Sequence, residues 1–599
     1  MIEDILMGNE AVALGLLEAG CNVISAYPGT PSSEVLPYAD KLRKEFKLPV
    51  FVEWSVNEKC AFELVYANAI IGGTSAVIMK QVGLNVSLDP LMSSAYIGHK
   101  GAMVVVVADD PGPISSQTEQ DTRFAAMFAK LPVFDPSNPE EAREFAKLAV
   151  KVSKEYEIPA IIRLTGRISH AKMNIKYSPL NAENFKKNLK FEKDPFRWAA
   201  IPKFRFLQHV ELNKKINKLQ DNNYFYLKKF AQDNQNLIIT SGICYANILD
   251  AIEYLNVKNI DVLKINLPYP LSKNINNILK NYNKILIIEE NYPVIEYQIR
   301  EKNIYGRLTS DIPSEGELSV DKIINIVLHF FSIHKSQVSP VNITSKKPEL
   351  CAGCPHRNSF YAIKKAFHRG IFPSDIGCYT LGLNMGAVDT CLCMGACINQ
   401  AAGFYQGFKT SGADIPPIIA TIGDSTFFHS GVPALVNSIY HGSAFVLVIL
   451  DNSTVAMTGF QPTPDTGVLL QAKGNRVSIE NLVKGCGVKF LKTVKPSNIK
   501  DMIETLKEAW QYAIENQTVS VIIAKEPCAI LANKNNMLKQ YHVEITENCT
   551  GCKYCIKFFQ CPALIFNDSL NRVEIDKAIC INCGVCAQIC PENAIAIKD

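Results

Sequence analysis

Eight of the chain's 19 cysteines fall between Cys549 and Cys590, in two runs that each end in Cys-Pro. The second run, Cys580-x2-Cys583-x2-Cys586-x3-Cys590-Pro591, has the ligand spacing of bacterial ferredoxins, in which the fourth cysteine serves the other cluster. The first run, Cys549-x2-Cys552-x2-Cys555-x5-Cys561-Pro562, carries two residues more before its last cysteine. Thiolates are soft ligands suited to iron, and short spacings let one tight loop supply three of them. A crossed arrangement gives one four-iron cluster Cys549, Cys552, Cys555 and Cys590, and the other Cys561, Cys580, Cys583 and Cys586. The alternative is a pair of zinc knuckles, although zinc sites more often include His and two separated C-x2-C pairs. Clusters pass single electrons, so the pattern predicts redox chemistry elsewhere in the chain.

A second chemistry is written in harder ligands. Gly423-Asp424-Ser425 ends one apolar run, and Asp451-Asn452-Ser453-Thr454 ends another, with Asn452 28 residues after Asp424. A carboxylate and an amide oxygen at neighbouring strand ends suit Mg²⁺, which shares its octahedral shell with phosphate oxygens. A glycine before the aspartate would let a diphosphate approach the backbone closely. The pair resembles the thiamine-diphosphate motif, Gly-Asp-Gly with an Asn about 25 to 30 residues later, with Ser425 replacing the last glycine. The alternative is two surface turns with capping Asp and Asn. That cofactor also needs a carboxylic acid against its aminopyrimidine ring. Glu58, in Trp54-Ser55-Val56-Asn57-Glu58-Lys59, opens an amphipathic helix after a short strand and is the candidate, against the alternative of a solvated helix residue.

These residues need α/β scaffolds to bring them to strand ends. Strand-like runs Asn22 to Tyr27, Ser75 to Met79, Ala102 to Ala108 and Ala160 to Arg163 alternate with helices over 1–175, which predicts a parallel sheet covered on both faces. Several of the runs enter Gly/Pro/Asp-rich loops, where ligands of open α/β sheets sit. Residues 176–235 are rich in Lys and Asn and are expected to connect domains, with some helix. A smaller α/β domain follows over 236–335, a polar linker over Ser336–Lys347, a third α/β block over 348–535, and the cysteine-rich tail from 540 to 599. At 599 residues the length fits about four domains. Hydrophobic residues at 47% exclude wholesale disorder, and a net charge of +4 implies no polyanionic partner. No apolar run approaches the ~20 residues of a membrane span, and the acidic start lacks a signal-peptide pattern. A cytoplasmic protein is expected, with thiols as metal ligands rather than disulfides.

The motifs together identify a resemblance. Tyr27-Pro28-Gly29-Thr30-Pro31-Ser32-Ser33, Met79-Lys80-Gln81-Val82-Gly83-Leu84-Asn85, Ala108-Asp109-Asp110-Pro111-Gly112 and Cys351-Ala352-Gly353-Cys354-Pro355-His356-Arg357 stand in order with Gly423 to Gly431 and Asn452 to Gly459. In these the chain resembles the 2-oxoacid:ferredoxin oxidoreductase family, most closely its indolepyruvate-using α subunits, over nearly its whole length. The widened first cluster loop is shared by those subunits. The resemblance implies pyrimidine-type and diphosphate-type thiamine diphosphate domains, a transketolase-C-like domain between them, and a ferredoxin-like domain with two 4Fe-4S clusters. It makes Glu58 the cofactor-activating acid and Thr30 the hydroxyl that contacts the substrate. Asp424, Asn452 and the Thr454 carbonyl become the Mg²⁺ ligands, with Gly423 and Ser425 beside the cofactor.

Two further residues have rival readings. Arg123 could clamp the substrate carboxylate with its fork of donors, or form an ion pair with Asp121 or Glu119. His429 could face the reaction centre, or be a satisfied structural histidine. Cys351, Cys354, Cys378 and Cys528 resemble the ligands of a third cluster nearest the cofactor; the alternative is four buried thiols, and Cys391, Cys393 and Cys397 offer competing spacings. The activity implied is oxidative decarboxylation of aryl-pyruvates to aryl-acetyl-coenzyme A, with electrons passing to ferredoxin. A smaller β subunit and an α2β2 assembly come with it. A non-oxidative thiamine enzyme would have no use for the tail, and a pure electron carrier would bind iron without thiamine diphosphate.

Overall fold

The computed structural model describes residues 1–185, 189–301, 303–334, 339, 348–537 and 541–598. The expected linker Ser336–Lys347 lies outside the described residues except for position 339. The chain divides into two compact units, Met1–Ile343 and Thr344–Asp599.

The first unit is built on a six-stranded parallel sheet in the order Phe51–Trp54, Val23–Ala26, Thr74–Lys80, Ala102–Asp109, Ala160–Thr165, Val133–Phe134. Every residue of Ala102–Asp109 is buried, as expected of a central parallel strand covered on both faces. Among the covering helices, Pro139–Tyr156 starts with the Asn138 side chain accepting the Glu141 N–H at 2.9 Å and ends at Glu157 in the left-handed region. Because all six strands run the same way, their carboxyl ends gather the loops at Tyr27–Thr30, Asn57–Glu58, Lys80 and Asp109–Asp110 along one edge.

A second sheet in the same unit carries four parallel strands, Ile304–Tyr305, Lys284–Ile288, Asn236–Thr240 and Ile260–Ile265, with Phe225–Lys228 antiparallel at one edge. The segment read as a connector over 176–235 thus contributes a strand to this sheet, and an 18-residue helix, Pro202–Leu219, precedes it. Lys172–Tyr177 pairs antiparallel with Ile2–Met7, a ribbon between residues about 170 positions apart.

The second unit has a four-stranded parallel sheet in the order Ile419–Gly423, Phe445–Asp451, Val519–Lys525, Leu491–Val494. The tail adds two antiparallel ribbons, His542–Ile545 with Ile595–Lys598 and Leu564–Asn567 with Arg572–Ile575. It packs on the sheet's helical layer: Tyr361 and Ile499 join Cys555, Phe559 and Val585 in one apolar cluster. No described helix is long and apolar enough to cross a membrane.

Candidate active site and electron path

Asp424 opens the helical turn that follows Ile419–Gly423, and Asn452 follows Phe445–Asp451, the adjacent strand, so parallel pairing brings the two candidate ligands together. The Asp424 carboxyl accepts the Ser425 N–H on Oδ1 at 2.8 Å, whereas Oδ2 is buried and lacks a hydrogen-bond partner among the described residues. Burial and the neighbouring Asp451 carboxylate push Asp424 well above the usual carboxylate range. A divalent cation would satisfy the orphaned oxygen and hold the carboxylate ionised, so the donor set fits Mg²⁺. Asp451 is turned away to Lys525, at 2.7 Å. Thr454 is buried, its hydroxyl donating to the Gln461 carbonyl at 3.2 Å.

Gly423 is also packed against an aromatic side chain. A Cβ there would lie 2.4 Å from Tyr379 Cε1 and 2.7 Å from its Cζ and Oη, so the glycine makes room for an aromatic ring. Tyr379 in turn shares a 2.8 Å hydrogen bond with Thr426 Oγ1. His429 lies buried in a π-helical turn, Phe427–Gly431, its Nδ1 3.1 Å from Ser430 Oγ.

The tyrosine also ties this site to thiols, because Cys378 precedes it. Burial, then the neighbouring Cys351 and Cys528, push the Cys378 thiol up to about 11, and burial followed by Cys528 raises Cys351. Cys354, almost fully enclosed, is pushed up to about 12 by burial. Cys528 donates its backbone N–H to the Asn452 carbonyl at 3.1 Å. Cys351 thus neighbours Cys354, Cys378 and Cys528, and Cys528 is joined to Asn452. Two of the three competing thiols are engaged elsewhere: Cys397 sits in the apolar core with Sγ 3.9 Å from Asp375 Oδ2, and Cys391 donates to the Asp375 carbonyl at 3.4 Å. Asp375 itself, pushed up to about 7 by burial, accepts the Gly395 N–H at 2.8 Å.

In the tail, one cavity is lined by Cys549, Cys552, Cys555 and Cys590, and a second by Cys561, Cys580, Cys583 and Cys586, the two crossed sets. Among the described residues no three His, Cys, Asp or Glu side chains form a group that could hold a metal ion. Four thiols lining one cavity are the ligand number that a four-iron cluster would take. Burial pushes Cys555 up to about 11 and raises Cys586 further, a cost that iron ligation would remove by taking the thiolate. The second cavity is also lined by Ala352 and Gly353, from the loop that carries Cys351 and Cys354. Arg357 fastens that contact, donating to the carbonyls of Leu350, Phe559 and Gln560, with Phe559 at 3.0 Å.

In the first unit Glu58 is the buried first residue of helix Glu58–Ile70, whose start is capped by Asn57 accepting the Cys60 N–H at 2.8 Å. Its carboxyl packs on Gly83, where a Cβ would come within 2.4 Å of Oε1. Thr30 lies at the same sheet edge, its carbonyl accepting from Ser115 Oγ at 3.3 Å.

Arg123 requires a correction. It is fully buried, and all five of its donors are spent: on Asp121 at 2.7 and 3.0 Å, Glu289 and Ser241 at 3.1 Å each, and the Glu290 carbonyl. No donor remains for a substrate carboxylate. The ion pair with Asp121 is what forms, within a network joining the unit's two sheets. Residues to which the sequence motifs assigned no role are Lys80, Asp375 and Tyr379. The available signals were a lysine closing the apolar run Ala76–Met79 and polar residues near Cys378.

Comparison with known proteins agrees along the chain. The family model for "Pyruvate flavodoxin/ferredoxin oxidoreductase, thiamine diP-bdg" matches residues 14–222. "Thiamine pyrophosphate enzyme, C-terminal TPP binding domain" matches 375–524, and "4Fe-4S binding domain" matches 573–596. An Archaeoglobus fulgidus protein named indolepyruvate oxidoreductase subunit IorA is 38% identical, covering 98% of this chain and 97% of its own length. Proteins of the same name from Thermococcus kodakarensis and Methanothermobacter marburgensis are 37% and 36% identical, covering 98% of this chain and 96% of their own lengths. With the two thiamine-diphosphate-binding domains and the ferredoxin-like tail in this order, the chain is a thiamine-diphosphate- and iron–sulfur-dependent 2-oxoacid oxidoreductase and belongs to the family of indolepyruvate oxidoreductase IorA subunits.

Proposed function

We propose that the chain is the catalytic subunit of an enzyme that oxidatively decarboxylates aryl-pyruvates (indolepyruvate, phenylpyruvate, hydroxyphenylpyruvate). The products are the aryl-acetyl-coenzyme A thioester, carbon dioxide, a proton and two electrons per substrate, the electrons leaving singly to ferredoxin. Bound thiamine diphosphate supplies the nucleophilic carbon and the electron sink for this chemistry. Asp424, the Asn452 amide and the Thr454 carbonyl hold Mg²⁺, with Gly423 and Ser425 beside the diphosphate. Glu58 shares a proton with a ring nitrogen of the aminopyrimidine, and its burial keeps water from competing for that proton. Thr30 offers its hydroxyl to the substrate, and His429 stands on the helical turn that follows Asp424.

The observation that carries this reading is the sequence of thiol sites in the second unit. Cys528 is bonded to the metal-ligand loop, Cys351 and Cys354 lie on the loop that walls the Cys561/Cys580/Cys583/Cys586 cavity, and Cys549, Cys552, Cys555 and Cys590 surround the next. Cys351, Cys354, Cys378 and Cys528 would hold one cluster and the two tail sets one each, and such clusters would supply one-electron acceptors for ferredoxin reduction. A smaller β subunit, an α2β2 assembly and a cytoplasmic location complete the proposal.

The test is anaerobic purification with the partner subunit, followed by thiamine diphosphate, magnesium and iron analysis and a panel of 2-oxoacids. About twelve irons are expected if all three clusters are cubanes, and about eight if only the tail is loaded. Iron without thiamine diphosphate would leave only an electron carrier. Decarboxylation without ferredoxin reduction would leave a non-oxidative enzyme.

A further inference from the structure

A 2-oxoacid brings a carboxylate into the site, and an anion entering a partly buried cleft needs a cation or several donors to replace its lost water. Arg123 cannot serve, since every donor is committed. Another cation stands at the edge where Thr30 and Glu58 lie. Lys80 is the last residue of Thr74–Lys80 and is half-buried. Its stem runs against Gly29, where a Cβ would come within 3.0 Å of Lys80 Cδ and 3.1 Å of Cγ. Nζ donates to the Ser115 carbonyl at 3.0 Å, and the Ser115 hydroxyl reaches both the Thr30 carbonyl, at 3.3 Å, and Asp110 Oδ2, at 3.1 Å.

Among the described residues, the hydrogen-bond partner of this ammonium is therefore a neutral carbonyl, with two of its three N–H bonds still to be placed. Burial lowers the lysine's affinity for its proton, opposed by the charges of Asp110 and Glu58. A substrate anion would compensate that burial.

Resting on the 2-oxoacid reading above, we propose that Lys80 receives the carboxylate of the substrate, on the same sheet edge as Thr30 and Glu58. The rival role for Lys80 is to anchor the 110–118 loop through Ser115. The two roles differ in what they predict for ligands with and without a carboxylate.

The experiment is calorimetry on the full-length chain with 3-phenylpropanoate and with 3-phenylpropan-1-ol, which shares the aryl skeleton but carries no charge. Lys80→Gln should weaken 3-phenylpropanoate by about 10- to 100-fold, the range of one charged hydrogen bond, and leave the alcohol unchanged. Lys80→Arg should keep most of the preference for the carboxylate. KM for phenylpyruvate should rise with the loss of 3-phenylpropanoate binding, at unchanged thiamine diphosphate binding. Equal losses for both ligands, or no loss for either, would overturn the assignment. If Lys80→Gln itself loses thiamine diphosphate binding, Lys80→Met, which keeps the apolar stem on Gly29, decides by the same comparison. A wild-type complex inert toward all 2-oxoacids would sink the proposed function and this inference together. Wild-type turnover with an unmoved KM in Lys80→Gln would sink only the inference.

Discussion

Gly83→Ala would place a methyl group where the Glu58 carboxyl lies. A Cβ at position 83 comes within 2.4 Å of Glu58 Oε1, 2.8 Å of Cγ and 2.9 Å of Cδ, whereas ordinary contact begins at 3.4 Å. The oxygen must retreat by the difference, 3.4 − 2.4 = 1.0 Å. Displacements of about 1 Å cost on the order of 10²-fold in rate where a catalytic group is preorganised. The effect on stability should be small. Overpacking costs about 1–3 kcal/mol, and Gly→Ala within helix Gln81–Val86 returns about 1 kcal/mol of helix propensity. The variant should therefore unfold within about 2 kcal/mol of the parent, bind thiamine diphosphate, and turn over about 10²-fold more slowly. Glu58→Gln, which keeps a hydrogen bond but loses the acid, sets the floor at about 10²- to 10⁴-fold. Turnover, cofactor titration and urea unfolding on the same preparations test all three statements. Full turnover in Gly83→Ala, with the fold intact, would refute the placement of Glu58 as the working acid.

Three further outcomes can be checked on the same complex. Asp424→Ala removes the orphaned Oδ2 and one of two side-chain ligands, so Mg²⁺-dependent binding of thiamine diphosphate should be lost while tail iron is unchanged; retained tight binding would reject the site. Cys552→Ser and Cys583→Ser should each remove about four irons and abolish ferredoxin reduction, measured by iron assay and reductase activity. These single changes are cleaner than deleting 541–599, which would strip Arg357 of its Phe559 and Gln560 carbonyls and uncover Tyr361 and Ile499. Asp375, pushed up to about 7 by burial, keeps its proton in the folded chain between its unfolded value of about 4 and about 7, whereas the unfolded chain releases it. Stability of the second unit should fall as pH rises through that window, and Asp375→Asn should flatten the slope in pH-dependent urea unfolding; an unchanged slope would refute it.

Chemistry that depends on short-range order was legible in the sequence by itself. Ligand spacing within a loop is a local property, so the two cysteine runs already divided into the sets that line the two cavities. β-Branched runs such as Val104–Val107 marked strands within a residue or two of where they form, and parallel α/β order placed Glu58, Thr30, Asp424 and Asn452 at strand ends. What the sequence left open were pairings between residues far apart in the chain. The fate of Arg123 turns on Glu289 and the Glu290 carbonyl, 166 and 167 positions away, which no local pattern announces. Phe225–Lys228 became a strand because the edge of Ile260–Ile265 offered unpaired backbone, and the tail became part of the second unit because Arg357 found carbonyls more than 200 residues away. Gly423 makes room for the ring of Tyr379, 44 positions away, and the Lys80 stem lies against Gly29, 51 positions away, contacts that no local pattern announces. A side chain's donors are divided among the neighbours it meets in space, and only the tertiary structure decides which neighbours those are.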